Sequence, residues 1–479
     1  MENTKQKVMS NLIWRFAERS GAQLVGFIVS VVLARILDPE SYGTIALVTV
    51  FITIFQVFVD SGLGNALIQK KDADDIDFST VFYANIAFCI VLYLIIFFAS
   101  PAIANFYNNQ ELVALTRVLG ITILISGVKN VQQAYVSKHL IFKKFFWATL
   151  VGTITAAVIG IIMAVKGCGV WALVAQQLIN LTIDTIMLWI TVKWRPIKAF
   201  SFERLKGLFS YGWKLLASSV IDTVYNDIRQ LVIGKFYTSS DLAFYNKGKQ
   251  FPQLIVSNIN TSIDSVLLPT MSKAQDSKEQ VKAMTRKSIK TSVYIMTPLM
   301  MGLAFCSNNV VSILLTDKWL SCVPFLIVFC ITYMFYPIHT ANLNAIKAMG
   351  RSDLFLRLEI IKKIVGIILL LITMRISVLA MAYSAIVTSI LSQIINSWPN
   401  KKLLNYSYIQ QLKDILPSII LAVVMGAIVY CYNFLHIGKI ITLILQVITG
   451  AIIYIAGSKM LKIDTFDYVL DTIKGFKKK

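Results

Sequence analysis

Ala84-Asn85-Ile86-Ala87-Phe88-Cys89-Ile90-Val91-Leu92-Tyr93-Leu94-Ile95-Ile96-Phe97-Phe98-Ala99-Ser100 contains no charged residue. It lies within a longer apolar stretch, 80–104, and about 20 such residues in a helix cross a hydrocarbon core of ~30 Å. A backbone in that core must satisfy its own N–H and C=O groups, so the stretch reads as a transmembrane α-helix.

Comparable stretches recur at 12–36, 43–67, 112–136, 146–166, 169–192, 211–236, 243–270, 288–314, 321–346, 355–374, 376–398, 415–434 and 439–458. The expected fold is therefore an all-α integral membrane protein of about fourteen transmembrane helices. Composition agrees: 56% of residues are hydrophobic, 15% are charged and the mean hydropathy is +0.68. A soluble domain carries about a quarter charged residues.

The formal charge of +21 is distributed by connection. Lys70 and Lys71 follow the second span, Lys138, Lys143 and Lys144 the fourth, and Lys193, Arg195, Lys198, Arg204 and Lys206 the sixth. The eighth, tenth and twelfth are followed by Lys273, Lys347 and Lys401 with further basic neighbours, while the alternate connections are nearly bare. This positive-inside pattern places both termini and every even connection in the cytoplasm and removes the argument for a nucleic-acid partner. Residues 193–210 and 399–414 read as short amphipathic helices on the membrane surface. Met1 to Ser10 is polar and precedes an over-long apolar span without a small-residue cleavage site, so the first helix is expected to be retained.

A weak internal repeat organises the spans. Ala34-Arg35-Ile36-Leu37-Asp38-Pro39-Glu40-Ser41-Tyr42-Gly43 aligns with Gly234-Lys235-Phe236-Tyr237-Thr238-Ser239-Ser240-Asp241-Leu242-Ala243. Six spans separate equivalent points, so the copies have the same orientation and predict two parallel six-helix bundles with a substrate site between them. The expected lobes are residues 1–200 and 201–400, with two additional transmembrane helices and a basic cytoplasmic tail in 401–479.

Charges inside the spans are the functional signal. A cation facing lipid at a helix centre costs at least ~2.5–3.5 kcal/mol, so Arg15, Arg19, Lys129, Arg229, Lys247 and Lys249 are expected to line a wet path for an anionic substrate. Arg15 and Arg19, and likewise Lys247 and Lys249, also have snorkelling open to them, and an internal ion pair with Asp222 is open to Arg229. Asp60, Asp184 and Asp264 are lone carboxylates within spans, the candidates for proton or sodium coupling or else for structural pairing. His339, beside Pro337, is a weaker candidate.

Cys89, Cys168, Cys306, Cys322, Cys330 and Cys431 show no metal-ligand spacing, and neither metal nor cofactor is expected. No catalytic arrangement or Walker sequence stands out, which excludes an ATP-driven pump within this chain and leaves a non-enzymatic transporter.

Several segments carry a resemblance: Leu33 to Gly43, Asp60-Ser61-Gly62-Leu63-Gly64-Asn65-Ala66-Leu67-Ile68-Gln69-Lys70-Lys71, Lys138 to Lys144, Gly167 to Val174, Ile233 to Tyr237 and Ala243 to Gly248. As a set, from about Val8 to Asn400, they resemble the Wzx-type polysaccharide and lipopolysaccharide flippases of the multidrug/oligosaccharidyl-lipid/polysaccharide (MOP) exporter superfamily. The resemblance implies alternating-access movement of an undecaprenyl-diphosphate-linked oligosaccharide to the outer leaflet, for O-antigen, capsule or exopolysaccharide synthesis. It also implies contact with membrane lipids and with polysaccharide polymerase or other assembly proteins. The alternatives are an ion-coupled multidrug exporter of the same superfamily and a non-transporting scaffold of the assembly machinery.

Overall fold

A computed structural model describes Trp14 and residues 21–60, 62–435 and 437–477. Every regular element among these residues is helical. The chain divides into two compact units, Met1–Ala243 and Phe244–Lys479.

The first unit contains α1 (Gly21–Ile36), α2 (Pro39–Asp60), α3 (Leu63–Gln69), α4 (Asp75–Tyr107), α5 (Glu111–Lys138), α6 (Lys143–Val165), α7 (Val170–Thr191) and α8 (Phe202–Phe236). In lipid, apolar burial between helices is weak and close approach of small residues takes over. The pairing of α6 with α7 follows that rule. A Cβ on Gly152 would lie 3.0 Å from Asn180 O, and one on Gly160 would lie 3.1 Å from Gln176 Cβ. Gly43 is still more constrained, because a Cβ there would overlap the Ser239 carbonyl at 1.7 Å. That contact joins the two aligned hairpins of the repeat. Two apolar clusters fill the unit, one around Leu33, Val48, Ile96 and Leu119, the other around Phe78, Val81, Leu188 and Trp194.

The second unit starts within α9 (Ser239–Lys273) and continues through α10 (Lys278–Phe305), α11 (Ser307–Leu315), α12 (Val323–Met334), α13 (Tyr336–Ala348), α14 (Ser352–Thr373), α15 (Val378–Leu403), α16 (Tyr408–Tyr430), α17 (Lys439–Met460) and α18 (Asp464–Lys477). α10 packs on α16 and α12, and α14 on α15. The last two spans belong to this bundle through polar contacts: Tyr294 OH to Ser458 Oγ at 2.8 Å, and Asn309 Nδ2 to Asn433 Oδ1 at 2.8 Å.

Nine helices among the described residues are long and apolar enough to cross a membrane, ten if the pair α10–α11, bent by 69°, is one span. The other four expected spans coincide with α1, α8, α9 and α14. The last three carry polar or charged groups along much of their length, so apolarity alone passes over them. The expectation of about fourteen helices is consistent with this set.

Three local expectations change. The span 288–314 is one apolar run but breaks at Cys306. Residues 193–201 are not helical: Pro196 lacks an N–H, and Ser79 Oγ and Thr80 Oγ1 accept from the Ile197 and Ser201 amides instead. The C-terminal segment is not simply a basic tail, since α18 carries Asp464, Asp467 and Asp471 and is held to α10 by Lys290–Asp464 at 3.2 Å and by Lys287 over the Tyr468 ring at 3.7 Å.

Candidate functional site

Polar groups of the first unit meet where α2, α4, α5 and α7 come together. Lys129 Nζ is 2.5 Å from Asp184 Oδ2, with both side chains largely buried. The neighbouring Asn130 Nδ2 donates to Asp60 Oδ1 at 3.3 Å, and Gln56 Nε2 donates to both Asp60 oxygens at 3.3 Å. Asn85 Nδ2 in turn donates to Asn130 Oδ1 at 3.4 Å. Gly64 lets the amide in, since a Cβ there would stand 2.5 Å from Asn130 Oδ1. Lys129 is close enough to Asp60 to act on its charge as well. Lys129 thus stands between two carboxylates, the buried Asp184 that it pairs with and the exposed Asp60 at the end of α2. Asp184 Oδ1 is buried with no hydrogen-bond partner, so the pair is incompletely satisfied.

Arg229 occupies the last third of α8, and its surroundings differ. Its Nε and Nη2 are buried and have no hydrogen-bond partner. The adjacent Gln230 and Asp227 bond to each other at 2.7 Å, and Asp222 and Asn226 are exposed. Five donors in a planar fork are the natural receptor for a carboxylate or phosphate. Arg229 as a whole is half-buried, and a guanidinium with two idle nitrogens can accept an anion that comes from outside the protein.

The second unit treats its expected cations differently. Lys247 is 5% exposed, stands 5.7 Å from the Trp319 ring centroid and donates to Gln250 Oε1 at 3.1 Å. Gly248 presses α9 onto α12, because a Cβ there would lie 2.6 Å from Phe325 Cβ. Lys247 is thus packed within the bundle; Lys249 is half-buried.

Asp264 is exposed on α9 and accepts from Asn344 Nδ2 at 2.7 Å. This contact belongs to a ladder of constant register. Tyr333 OH donates to Gln253 Oε1 at 2.6 Å and Thr340 Oγ1 to Asn260 Oδ1 at 2.7 Å; all three pairs are 80 residues apart. The Asn-to-Asp contact duplicates that between Asn130 and Asp60. Asp60 precedes Asn260 by 200 residues and Asp264 by 204, positions one helical turn apart on the same face.

Sequence reasoning missed Glu359 and Lys362. They form an ion pair at 2.5 Å on α14, and Lys362 acts electrostatically on His339. His339 bonds to Asn396 Nδ2 at 3.2 Å and lies 3.4 Å from Ser389 Oγ. The available signal was four charged residues, Arg357, Glu359, Lys362 and Lys363, in the first half of an otherwise apolar run. Arg15 and Arg19 lie outside the described residues.

Several connection lysines and arginines work as helix caps. Lys138 reaches Leu67 O at 3.3 Å and also the Lys70 carbonyl, Lys144 reaches the Thr191 carbonyl, and Arg195 bonds Val192 O at 2.6 Å and Trp194 O at 2.7 Å. Beside them, Arg204 Nη1 contacts Asp74 Oδ1 at 2.5 Å and Asp77 Oδ1 at 3.4 Å, while Lys70 holds Asp77 at 2.7 Å. The Arg204 hydrogen bond and the Asp77 backbone N–H hold the Asp74 carboxyl down at about 2.

A family described as "Polysaccharide biosynthesis protein" matches residues 32–324. Teichuronic acid biosynthesis protein TuaB of Bacillus subtilis (strain 168) is 26% identical over 382 residues, 79% of each chain. Lipopolysaccharide biosynthesis protein WzxC of Escherichia coli (strain K12) is 24% identical over 366 residues, 75% of this chain and 73% of that one. Among solved structures, the lipid II flippase MurJ in an inward closed conformation superposes with a TM-score of 0.78 at 15% identity, covering 95% of this chain and 99% of that one. An inward-facing multidrug resistance MATE transporter of the MOP superfamily gives 0.63 at 13% identity, covering 80% and 94%. The last two likenesses concern the fold.

Proposed function

Because the chain belongs to the polysaccharide biosynthesis protein family, we propose that it is a flippase moving an undecaprenyl-diphosphate-linked oligosaccharide from the cytoplasmic to the outer leaflet by alternating access. The product would feed a surface polysaccharide. The relatives' names describe polysaccharide and lipopolysaccharide biosynthesis, and one is named a transport protein, so the reading is a transporter and not an enzyme.

The observation that carries the substrate class is Arg229. Its two buried, unpartnered nitrogens match the oxygens of a diphosphate, which accept charge-assisted hydrogen bonds in pairs. In a site shielded from water such bonds gain far more than the ~1 kcal/mol of a 4 Å pair in bulk. A cationic drug would meet repulsion at the same residue, which weighs against the multidrug-exporter reading. A scaffold would have no use for an orphaned guanidinium inside a span.

Coupling to a proton or sodium gradient is assigned to Asp60 in the first unit and Asp264 in the second, each held by an asparagine amide. Asp184 is the weaker candidate because Lys129 already neutralises it. The remaining assignments are cytoplasmic termini in the bacterial inner membrane and partnership with the polymerase machinery; they rest on the connection charges and the family.

The deciding experiment places the protein in liposomes with a fluorescent undecaprenyl-diphosphate oligosaccharide and follows its exposure to an external glycosidase. Wild-type-dependent exposure that Arg229→Ala abolishes is expected. Exposure with wild type that survives in Arg229→Ala would remove the cationic-site argument, and no exposure with any glycan would return the exporter and scaffold readings.

A further inference from the structure

Resting on the flippase reading, a second polar feature names the part of the substrate it would contact. We propose that Asn258, Thr261 and Ser265 on α9, with Asp264 and Tyr336 beside them, form a subsite that reads neutral, hydroxyl-rich sugars of the translocated head group.

Asn258, Thr261 and Ser265 recur at i, i+3 and i+7, so they share one stripe of the helix, and all three are exposed on the second unit. α9 lies in a stretch expected to cross the membrane. Asn258 Nδ2 is bonded within the helix, to Leu254 O at 2.9 Å, and it is the exposed Asp264 carboxylate beside the stripe that marks this face as one reached by water or a polar ligand. Thr261 Oγ1 donates to Ser257 O at 2.7 Å, which turns the lone pairs of its oxygen outward as acceptors.

The stripe is also held in place. The ladder of Gln253–Tyr333, Asn260–Thr340 and Asp264–Asn344 runs beside it and fixes α9 against α12 and α13 in one register. A subsite on a locked helix keeps its geometry without a loop to order on binding. Tyr336 is 43% exposed and near enough to Asp264 to sense its charge, so one aromatic face and one carboxylate acceptor adjoin the stripe. Carboxylate, amide and hydroxyl acceptors beside an aromatic ring suit sugar hydroxyls and C–H faces.

The charge pattern separates this role from that of Arg229. No lysine or arginine occurs on α9 between Lys249 and Lys273, and Lys362 of α14, which acts on His339 nearby, is paired with Glu359, so the stripe itself presents hydroxyls and an amide rather than a cation. Arg229 has the complementary limitation: its fork binds anions and does not discriminate among uncharged hydroxyls. Diphosphate capture and glycan reading therefore fall to different helices.

The test compares wild type with a combined Asn258→Ala, Thr261→Ala, Ser265→Ala variant in liposomes, using two probes: undecaprenyl diphosphate bearing one N-acetylglucosamine, and the same carrier bearing a neutral tetrasaccharide. The variant is expected to lose roughly tenfold or more in tetrasaccharide rate while the monosaccharide rate holds within about twofold, as unmatched hydrogen-bonding groups penalise only the substrate that used them. Thr261→Ser, which keeps the hydroxyl, should retain the tetrasaccharide rate. Equal loss on both probes would mean a structural role and overturn the subsite, as would no loss on either. If wild type moves neither probe, the flippase reading falls and takes this inference with it; if wild type moves both, only the subsite is at stake.

Discussion

Lys129 Nζ lies 2.5 Å from Asp184 Oδ2, and the other oxygen of that carboxylate is buried without a partner. Breaking such a pair from one side leaves an uncompensated charge in low dielectric, typically at a cost of about 3–5 kcal/mol, whereas replacing both partners with neutral groups can be close to neutral. Lys129→Met and Asp184→Asn should therefore each lower the melting temperature clearly, and the double variant should recover most of the loss. A double variant no better than the worse single one would show that the two side chains do not act as a pair.

Arg229 makes the opposite prediction for stability. Its Nε and Nη2 are already unsatisfied, so truncation removes a cost rather than a bond. Arg229→Leu should leave the melting temperature unchanged or raise it while reducing translocation by at least about a hundredfold, a loss on the scale of one well-made charge-assisted contact pair. Arg229→Lys keeps the charge but not the fork and should fall between. The readouts are thermal unfolding in detergent and the glycosidase-exposure rate. A variant that both melts lower and transports normally would contradict the assignment.

The helices and the pairings were unequally visible in the sequence. Spans such as 80–104 declare themselves because crossing hydrocarbon requires about 20 consecutive apolar residues, a local property of the chain. The alternation of Lys70–Lys71 and Lys138–Lys144 with bare connections is equally local. Pairing is not. Asp60 and Asp264 looked solitary because their asparagines lie 70 and 80 residues further on, and Lys129 looked like a free cation because Asp184 is two helices away. The α7–α8 connection has an amphipathic pattern, yet it is extended because hydroxyls on α4 capture its amides.

The duplicated carboxylate–amide contact bears on energy coupling. If Asp60 or Asp264 holds the coupling ion, converting it to asparagine removes the charge and keeps the shape. The coupling variant should still exchange lipid-linked glycan across liposomes without a gradient, and it should lose the acceleration produced by an imposed proton or sodium gradient. The two sites are separable by this measurement: Asp60→Asn and Asp264→Asn need not behave alike, because Lys129 acts on Asp60 alone among the interactions described for the pair. Full gradient response in both variants would rule the two carboxylates out.

The Asp74–Arg204 contact gives a prediction in pH. Asp74 normally titrates at 3.8 and is held at about 2 in the folded protein, first by the Arg204 hydrogen bond and then by the Asp77 backbone N–H. A folded-state value below the unfolded one means the carboxylate contributes stability above about pH 4. That contribution declines as pH falls through the interval and is gone below about 2. The gap in melting temperature between wild type and Asp74→Asn should thus be constant from neutral pH down to about 4 and close progressively below it. Both side chains are partly exposed, at 34% for Arg204 and 50% for Asp74, so the gap is expected to be small and to narrow in high salt. Asp74 also caps α4 by accepting from the Asp77 amide, a bond that asparagine can still make. What the variant removes is therefore the ionic contact with Arg204, and a gap that persisted unchanged at pH 2 would show that it does not stabilise the fold.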